Sequence, residues 1–430
     1  MESKKEIFKF LIKEFHEKKL PEVVKRDLDL PLNSDKIITL SGPRRVGKTY
    51  YFYYLIQQLK KKVPLQRILY INFEDDRLFP LKLENLNDLL EAYFELYPEN
   101  KDKKIYCFFD EIQIVEKWEV FIRRIYDKEN VRIFITGSSS KLLAREIASS
   151  LRGRTLHYRL YPLSFREFLR FKGIQPEPSV VYGKERFKLK KLFGEYLIFG
   201  GFPEVVKEKK DLKPAILNNY YEMIVYRDLV ERFALRNTRA LRALCKYLVS
   251  NIGGLFSINS YYKSAERDLK PARETLFEYI SCLQEIEFVY FLPIFSFSLK
   301  TQQSNPRKIY IIDNGFFNVV AFKFSKNYGH LLENAVFLEL KRSENEIYYY
   351  KKKKECDFMI RKSGRWQVYQ VTQEINEQNK EREIEGILEA MNFLKLKRGI
   401  IITKDQEFEI QEKGRRIQII PAWKWFLQAN

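Results

Sequence analysis

From Lys36 onward the chain alternates short apolar runs with longer amphipathic ones. KIITLS (36–41), ILYINF (68–73), IYCFFDE (105–111), VRIFITG (131–137) and TLHYRLY (155–161) are short and rich in β-branched and aromatic residues. Near-continuous apolar runs of that length predict strands buried on both faces. Between them, the segment from Lys48 to about Lys62, LENLNDLLEAYFELY, WEVFIRRIYD and SSKLLAREIASSL repeat their apolar residues at helical spacing. Five strands with intervening helices predict an α/β fold, a parallel sheet covered on both sides. Residues 1–30 read as a helix and a connector.

Past residue 161 the pattern changes. Residues 162–235 keep helical spacing, broken by a loop at GIQPEPS and a turn at FGGFPE. Residues 236–300 hold three amphipathic segments, TRALRALCKYLVSNIG, INSYYKSAERDL and KPARETLFEYISCLQEI. A hairpin-like pair follows, FVYFLPIFS and RKIYIID. Three helices and a ribbon are the parts of a winged helix-turn-helix. From residue 325 a helix (LLENAVFLELKRS) precedes the strands EIYYYK, DFMIRK and WQVYQVT, a charged helix, and the strands RGIIITK and IQIIP. The expected domains are therefore 1–161, 162–235, 236–324 and 325–430, the last a small separate α/β unit.

Charge narrows the partners. The chain has 430 residues, 45% of them apolar, and 77 Lys and Arg against 57 Asp and Glu give a net charge of +20. That excess favours polyanions, nucleic acid before an anionic membrane. Cys107, Cys245, Cys282 and Cys356 are far apart with no CxxC pair, which argues against a zinc site or a disulfide framework. His16, His157 and His330 are isolated and read as structural or surface residues. No apolar run reaches the length of a membrane span, and the start MESKKEIFKF is charged, unlike a signal peptide. The expected location is the cytoplasm, with no membrane partner.

The candidate chemistry starts at GPRRVGKT, which fits G-x-x-x-x-G-K-[ST] at Gly42, Gly47, Lys48 and Thr49. Glycines let backbone N–H groups turn inward around phosphate oxygens, and the following helix points its positive end at the anion. The loop residues Gly42, Pro43, Arg44, Arg45, Val46 and Gly47, with Lys48, Thr49 and Tyr50, are the expected nucleotide-binding set. Lys48 would meet the β- and γ-phosphates, and Thr49 would ligate Mg²⁺. About sixty residues later, IYCFFDE ends a strand in two carboxylates. Asp110 is the expected second Mg²⁺ ligand and Glu111 the general base for an attacking water. At IFITGSSS, Ser138 is the first candidate to sense the γ-phosphate and Ser139 the second, with a helix N-cap as the alternative role. At SLRGRTLHY, Arg152 or Arg154 could reach a neighbouring subunit's nucleotide as an arginine finger, or serve only as a surface arginine.

Together these segments resemble the prokaryotic AAA-type P-loop ATPases whose C-terminal part is similar to restriction-endonuclease-like domains of the PD-(D/E)xK type. The carrying segments are GPRRVGKT, FFDEIQ with Trp118, ITGSSS, LRGR before YPLSFREFL, YLIFGGFPEVV, LVSNIGGLFSINS, KIYIIDNGFFN, LLENAVFLEL and ECDFMI. The resemblance runs from about residue 30 to the end. It implies an AAA-like ATPase core (Walker A loop included), a helical lid at 162–235, a winged helix and a nuclease-like domain. It implies ATP and Mg²⁺ as cofactors and favours Arg154 as the finger. Arg227 in VYRDLVE is the one candidate for a second-sensor arginine in the lid. A nuclease of that type needs a strand carboxylate, then a carboxylate and a lysine on the next strand. Asp357 matches the first, with Glu333 able to assist, but WQVYQVT puts Gln370 and Thr372 at the other two. The expectation is a fold kept with cleavage lost or reduced.

The winged-helix segment offers a recognition helix over 269–283, with Arg267, Lys270 and Arg273 near its start. A basic wing in KTQQSNPRK would add Lys300, Arg307 and Lys308. The reading is thus an ATPase coupled to DNA, with protein docking as the alternative use of the winged helix and a homo-oligomer as the context of any finger. A slowly hydrolysing nucleotide-gated module and an ATP-dependent nuclease are the alternatives.

Overall fold

The structure is a computed structural model that describes residues 3–137, 151, 153–175, 185–265, 271–321, 328–343 and 345–428. It divides into two compact units, Met1–Tyr161 and Pro162–Asn430.

In the first unit, β1 (Ile37–Ser41), β2 (Ile68–Asn72), β3 (Ile105–Asp110), β4 (Val131–Gly137) and β5 (Thr155–Arg159) form one parallel sheet in the order β2-β3-β4-β1-β5. Neighbouring residues of a strand point to opposite faces, and both faces are buried. Ile37, Leu69, Ile71, Cys107, Phe109, Ile133 and Ile135 pack beneath α1 (Lys4–Glu17), α3 (Asn85–Leu96) and α4 (Trp118–Lys128). Ile38, Leu40, Ile68, Tyr70, Phe108 and Phe134 pack on the other side with α2 (Lys48–Leu59). Burying each such side chain stabilises the fold by roughly 1.5–3 kcal/mol, which is why the strand segments carry so few polar residues. His16 lies between the Tyr97 hydroxyl at 2.7 Å and the Ile68 carbonyl at 2.8 Å, and all four cysteines are buried free thiols.

The second unit begins with α5 (Phe165–Phe171), α6 (Arg186–Phe199), α7 (Pro203–Lys207) and α8 (Lys213–Met223). A π-helical stretch over Ile224–Glu231 continues α8 and carries Arg227. Next come α9 (Thr238–Ser250), α10 (Ile258–Ser264) and α11 (Arg273–Glu285) with an antiparallel sheet of β6 (Leu255–Phe256), β8 (Arg307–Ile311) and β7 (Val289–Leu292), in the order β6-β8-β7. The expected basic wing is corrected in two ways. Leu299–Ser304 is a helical turn, α12, because the Ser298 hydroxyl caps it at Thr301. Lys308 is 2% exposed, so it cannot meet DNA, and only Arg307 and Lys300 remain near the surface there. Arg267 and Lys270 lie outside the described residues, and Arg273 opens α11. After α13 (Gly315–Val320) and α14 (Tyr328–Arg342), the strands β9 (Glu346–Lys351), β10 (Glu355–Lys362), β11 (Arg365–Val371), β12 (Arg398–Thr403), β13 (Phe408–Glu412) and β14 (Arg415–Pro421) form a mixed sheet in the order β13-β14-β12-β11-β10-β9, with α15 (Lys380–Phe393) against it. Its edge strand β13 (Phe408–Glu412) escapes the apolar pattern, because FEIQE is mostly solvent-facing.

A buried polar pin explains why GGFPE and IIDNG are as they are. Asp313 accepts the Gly201 N–H at 2.6 Å and the Gly315 N–H at 2.8 Å. A Cβ on Gly200, where φ is 75°, would lie 1.6 Å from the Asp313 carboxylate. Asn314 donates to the Leu197 and Leu331 carbonyls, and Asn334 accepts from the Ile311 N–H. Burial pushes the Asp313 carboxyl up to about 7, against the pull of its two N–H donors. An acid raised in the folded state contributes stability that is full below the unfolded value of about 4 and lost as pH rises through about 7. Glu333, pushed up to about 7 chiefly by burial, adds a slope of the same sign. Thermal melts should therefore show wild type less stable at pH 8 than at pH 5.5. Asp313→Asn should melt lower at acid pH, with one N–H unsatisfied, but with a shallower slope. Parallel slopes would remove the role of Asp313.

Candidate functional site

The site is built at the carboxyl ends of β1 and β3, the side of a parallel sheet where ligands bind. Between β1 and the start of α2 the chain turns through Gly42 (φ 155°), Arg45 (φ 65°) and Gly47 (φ 97°). A Cβ on Gly42 would come within 2.3 Å of the Leu160 carbonyl, so the tight exit from β1 admits only glycine. The buried Arg26 side chain fastens the loop from outside, donating to the Val46 carbonyl at 3.1 Å and the Tyr161 carbonyl at 2.6 Å. His157 faces Thr39 and Ser41 at 3.1 Å each, just below the loop. Burial lowers its basicity to about 4, so it stays neutral there.

Lys48 is 5% exposed. Its ammonium donates to the Gly42 carbonyl at 3.1 Å and the Pro43 carbonyl at 3.3 Å, and lies 3.3 Å from Glu111 Oε1. Thr49 Oγ1 donates to Asp110 Oδ2 at 2.6 Å. That carboxylate also accepts from the Tyr70 hydroxyl at 3.1 Å and from the Thr136 hydroxyl. The pair β3 and β1 is separated by β4, and this order sets Thr136 beside Asp110. Thr136 Oγ1 also accepts the Glu111 N–H at 3.0 Å.

The two adjacent carboxyls have different environments. Burial pushes Asp110 above its ordinary value, with the Thr136 and Thr49 hydroxyls pulling the other way. Burial works to raise Glu111 as well, but Lys48, Gln113 and Arg44 outweigh it and hold Glu111 below the usual carboxylate range. Gln113 Nε2 donates to Glu111 Oε2 at 2.5 Å. Glu111 has φ 55°, a left-handed backbone that costs a non-glycine residue of order 1–3 kcal/mol and turns its side chain off the strand line.

This donor set fits a nucleotide with its metal. Thr49 and Asp110 bring two hard oxygens to one point, and a magnesium ion is bound through one or two such groups plus phosphate oxygens. The first turn of α2 leaves backbone N–H groups without intrahelical acceptors, facing the loop that Lys48 spans. A bound Mg²⁺ supplies charge neutralisation at the phosphates. The chain itself contributes an ammonium in the loop, an ionised carboxylate at Glu111 and a hydroxyl network that fixes Asp110.

Gly42 to Tyr50, Asp110 and Glu111 are brought to one place. Ser138, Ser139 and Arg152 lie outside the described residues. Arg154 precedes β5 at the opposite end of the sheet, where its carbonyl accepts the Ile37 N–H. A five-residue strand separates it from the loop by about 15 Å. There it pairs with Asp127 at 3.1 Å, so it does not enter its own chain's site. Tyr70, Thr136 and Gln113 were not anticipated. The signal for Thr136 was its position one residue beyond the Phe109–Ile135 pair on neighbouring strands. Tyr70 could not be found so, because an aromatic in an apolar strand reads as core.

A profile described as an AAA domain matches residues 34–169. Two profiles described as domains of unknown function, DUF8612 and DUF4143, match 190–327 and 328–425. The chain is 39% identical over 424 residues to the uncharacterized protein MJ1544 of Methanocaldococcus jannaschii, covering 95% of this chain and 92% of that protein. It is 31% identical over 405 residues to an uncharacterized protein of Haemophilus influenzae, with 92% and 95% covered. Among solved structures, the Aeropyrum pernix ORC1 protein in complex with DNA is similar at 12% identity and a TM-score of 0.32, covering 74% of this chain and 91% of that one. Similarity at that level says nothing of what this chain binds. The chain belongs to the same family as the archaeal and Haemophilus proteins, with an AAA-type P-loop ATPase domain followed by a distinct C-terminal domain of unknown function.

Proposed function

We propose that this protein binds ATP with Mg²⁺, hydrolyses it, and uses the cycle to change the hold of its second unit on DNA. The observation that carries the reading is the pairing of Thr49 with Asp110 at 2.6 Å beside that of Lys48 with Glu111 at 3.3 Å. Lys48 and the loop N–H groups hold phosphates, Thr49 and Asp110 hold the metal, and ionised Glu111 takes a proton from water. Ser138 senses the nucleotide, and Arg154 of one copy acts on the site of another in a homo-oligomer.

The DNA part rests on the net charge of +20 and on the order helix, strand, helix, helix, strand, short helix, strand over 238–311, which resembles a winged helix with the helical turn α12 between its last two strands. Arg273 at the head of α11 and Arg307 on β8 are the cations offered to phosphates. Among the described residues no helix is long and apolar enough to cross a membrane.

The test is ATP turnover with and without duplex, branched and single-stranded DNA. Stimulation by one form is the expected outcome. Binding should weaken steeply with salt, because each neutralised phosphate contributes nearly one unit to the log–log slope. A slope near zero would replace DNA by a protein partner at the winged helix.

A further inference from the structure

The second unit holds a cavity of about 810 Å³ whose wall includes Lys308, Glu333, Glu355, Asp357, Gln370 and Glu383. Its floor has an unusual charge arrangement. The Lys308 ammonium is 2.6 Å from Asp357 Oδ1, 3.0 Å from Glu355 Oε1 and 3.1 Å from Glu333 Oε1. Lys308 comes from β8, whereas the carboxylates come from α14 and β10. Three carboxylate oxygens from two elements therefore converge on one cation delivered by a third.

The rest of each group is fixed from behind. The Tyr310 hydroxyl donates to Glu333 Oε1 at 2.7 Å, and the Val371 N–H donates to Asp357 Oδ2 at 2.8 Å. Gln370 accepts the Asp357 N–H at 3.1 Å and donates to Glu383 at 2.7 Å. A single buried ion pair requires one carboxylate. Here three carboxyl groups face one ammonium, with Glu355 also paired to Lys351 at 3.1 Å through its other oxygen, and desolvating so many is costly. Convergent oxygens with an opening to a cavity are what a hard divalent ion requires. Here the distances are those of ammonium hydrogen bonds rather than the roughly 2.0–2.1 Å of magnesium coordination. Among the described residues no three acidic, histidine or cysteine side chains are set to hold a metal as they stand.

We propose that Lys308 is a tethered counter-ion: its ammonium occupies the position of a divalent cation among Glu333, Glu355 and Asp357, and closes this cavity to metal. Against the nuclease-type pattern that the sequence resembles, in which WQVYQVT lacks the lysine, the ammonium here comes from β8 and stands where it would displace an ion instead of assisting one. The inference does not depend on the ATPase reading.

The test is Mn²⁺ uptake by the full chain without nucleotide, followed by the electron paramagnetic resonance of free Mn²⁺. It is made in an Asp110→Asn background so that the first unit contributes no ion. The chain with Lys308 intact should take up no Mn²⁺ at sub-millimolar concentration. Adding Lys308→Ala should create one site per chain and a Mn²⁺-dependent rise in melting temperature, both lost on further change of Asp357→Asn. If Lys308→Ala does not fold alone, folding restored by Mn²⁺ supports the proposal and failure of Mn²⁺ to restore it overturns it. Uptake with Lys308 present that disappears in Asp357→Asn, or a folded Lys308→Ala that takes up no Mn²⁺, would also overturn it.

Discussion

Lys48→Ala should lower ATP turnover by about 10²–10³ or more, the loss typical when one fixed electrostatic partner of a reacting group is removed. The ammonium is buried and bound to the Gly42 and Pro43 carbonyls, so it is held across the loop before any ligand arrives. A cation placed in advance meets phosphate charge without the cost of rearrangement. The same ammonium is the largest influence opposing burial at Glu111. Its removal therefore acts twice, weakening the hold on phosphates and raising the Glu111 carboxyl. Nucleotide affinity, read with a fluorescent ATP analogue, should fall together with turnover. Turnover within a few-fold of wild type would mean that the loop is not the catalytic cradle, whatever the fold around it.

The two parts of the chain were legible to different degrees, for physical reasons. In the first unit both faces of the sheet are buried, so Phe108 and Phe109 point opposite ways yet are both apolar, and each strand announces itself as an unbroken run. The loop glycines and the Asp110–Glu111 pair are local patterns, tied to backbone geometry and to the end of one strand. Thr136 and Tyr70 act through partners on neighbouring strands, so only strand order reveals them. The second unit hides more. Lys308 sits in the basic stretch KTQQSNPRK and has the look of a surface cation, while its place is fixed by carboxylates 25 and 49 residues away. Nothing local distinguishes a lysine that will be buried against distant acids. The polar edge strand β13 lacks a periodic apolar signal for a related reason, since most of it faces solvent.

Glu111→Gln should separate binding from chemistry. The amide keeps the shape of the side chain but cannot accept a proton, so turnover should drop by about 10²–10⁴, the usual contribution of a positioned base. Loss of a negative charge 3.3 Å from Lys48 frees that ammonium for phosphate, so nucleotide should bind as tightly as in wild type or more tightly. Asp110→Asn should behave differently. Asp110 is the acceptor of the Thr49, Tyr70 and Thr136 hydroxyls, so its loss disturbs the metal position and lowers Mg²⁺-dependent affinity as well as turnover. Wild-type pH dependence gives an independent check. Glu111 is held below the ordinary carboxylate value of about 4.3, so it remains ionised through neutral and mildly acid conditions. The acid limb of turnover should therefore appear only below the ordinary carboxylate range, as far as the fold survives there. An acid limb centred near neutrality, or Glu111→Gln turning over at the wild-type rate, would assign the proton transfer to another group.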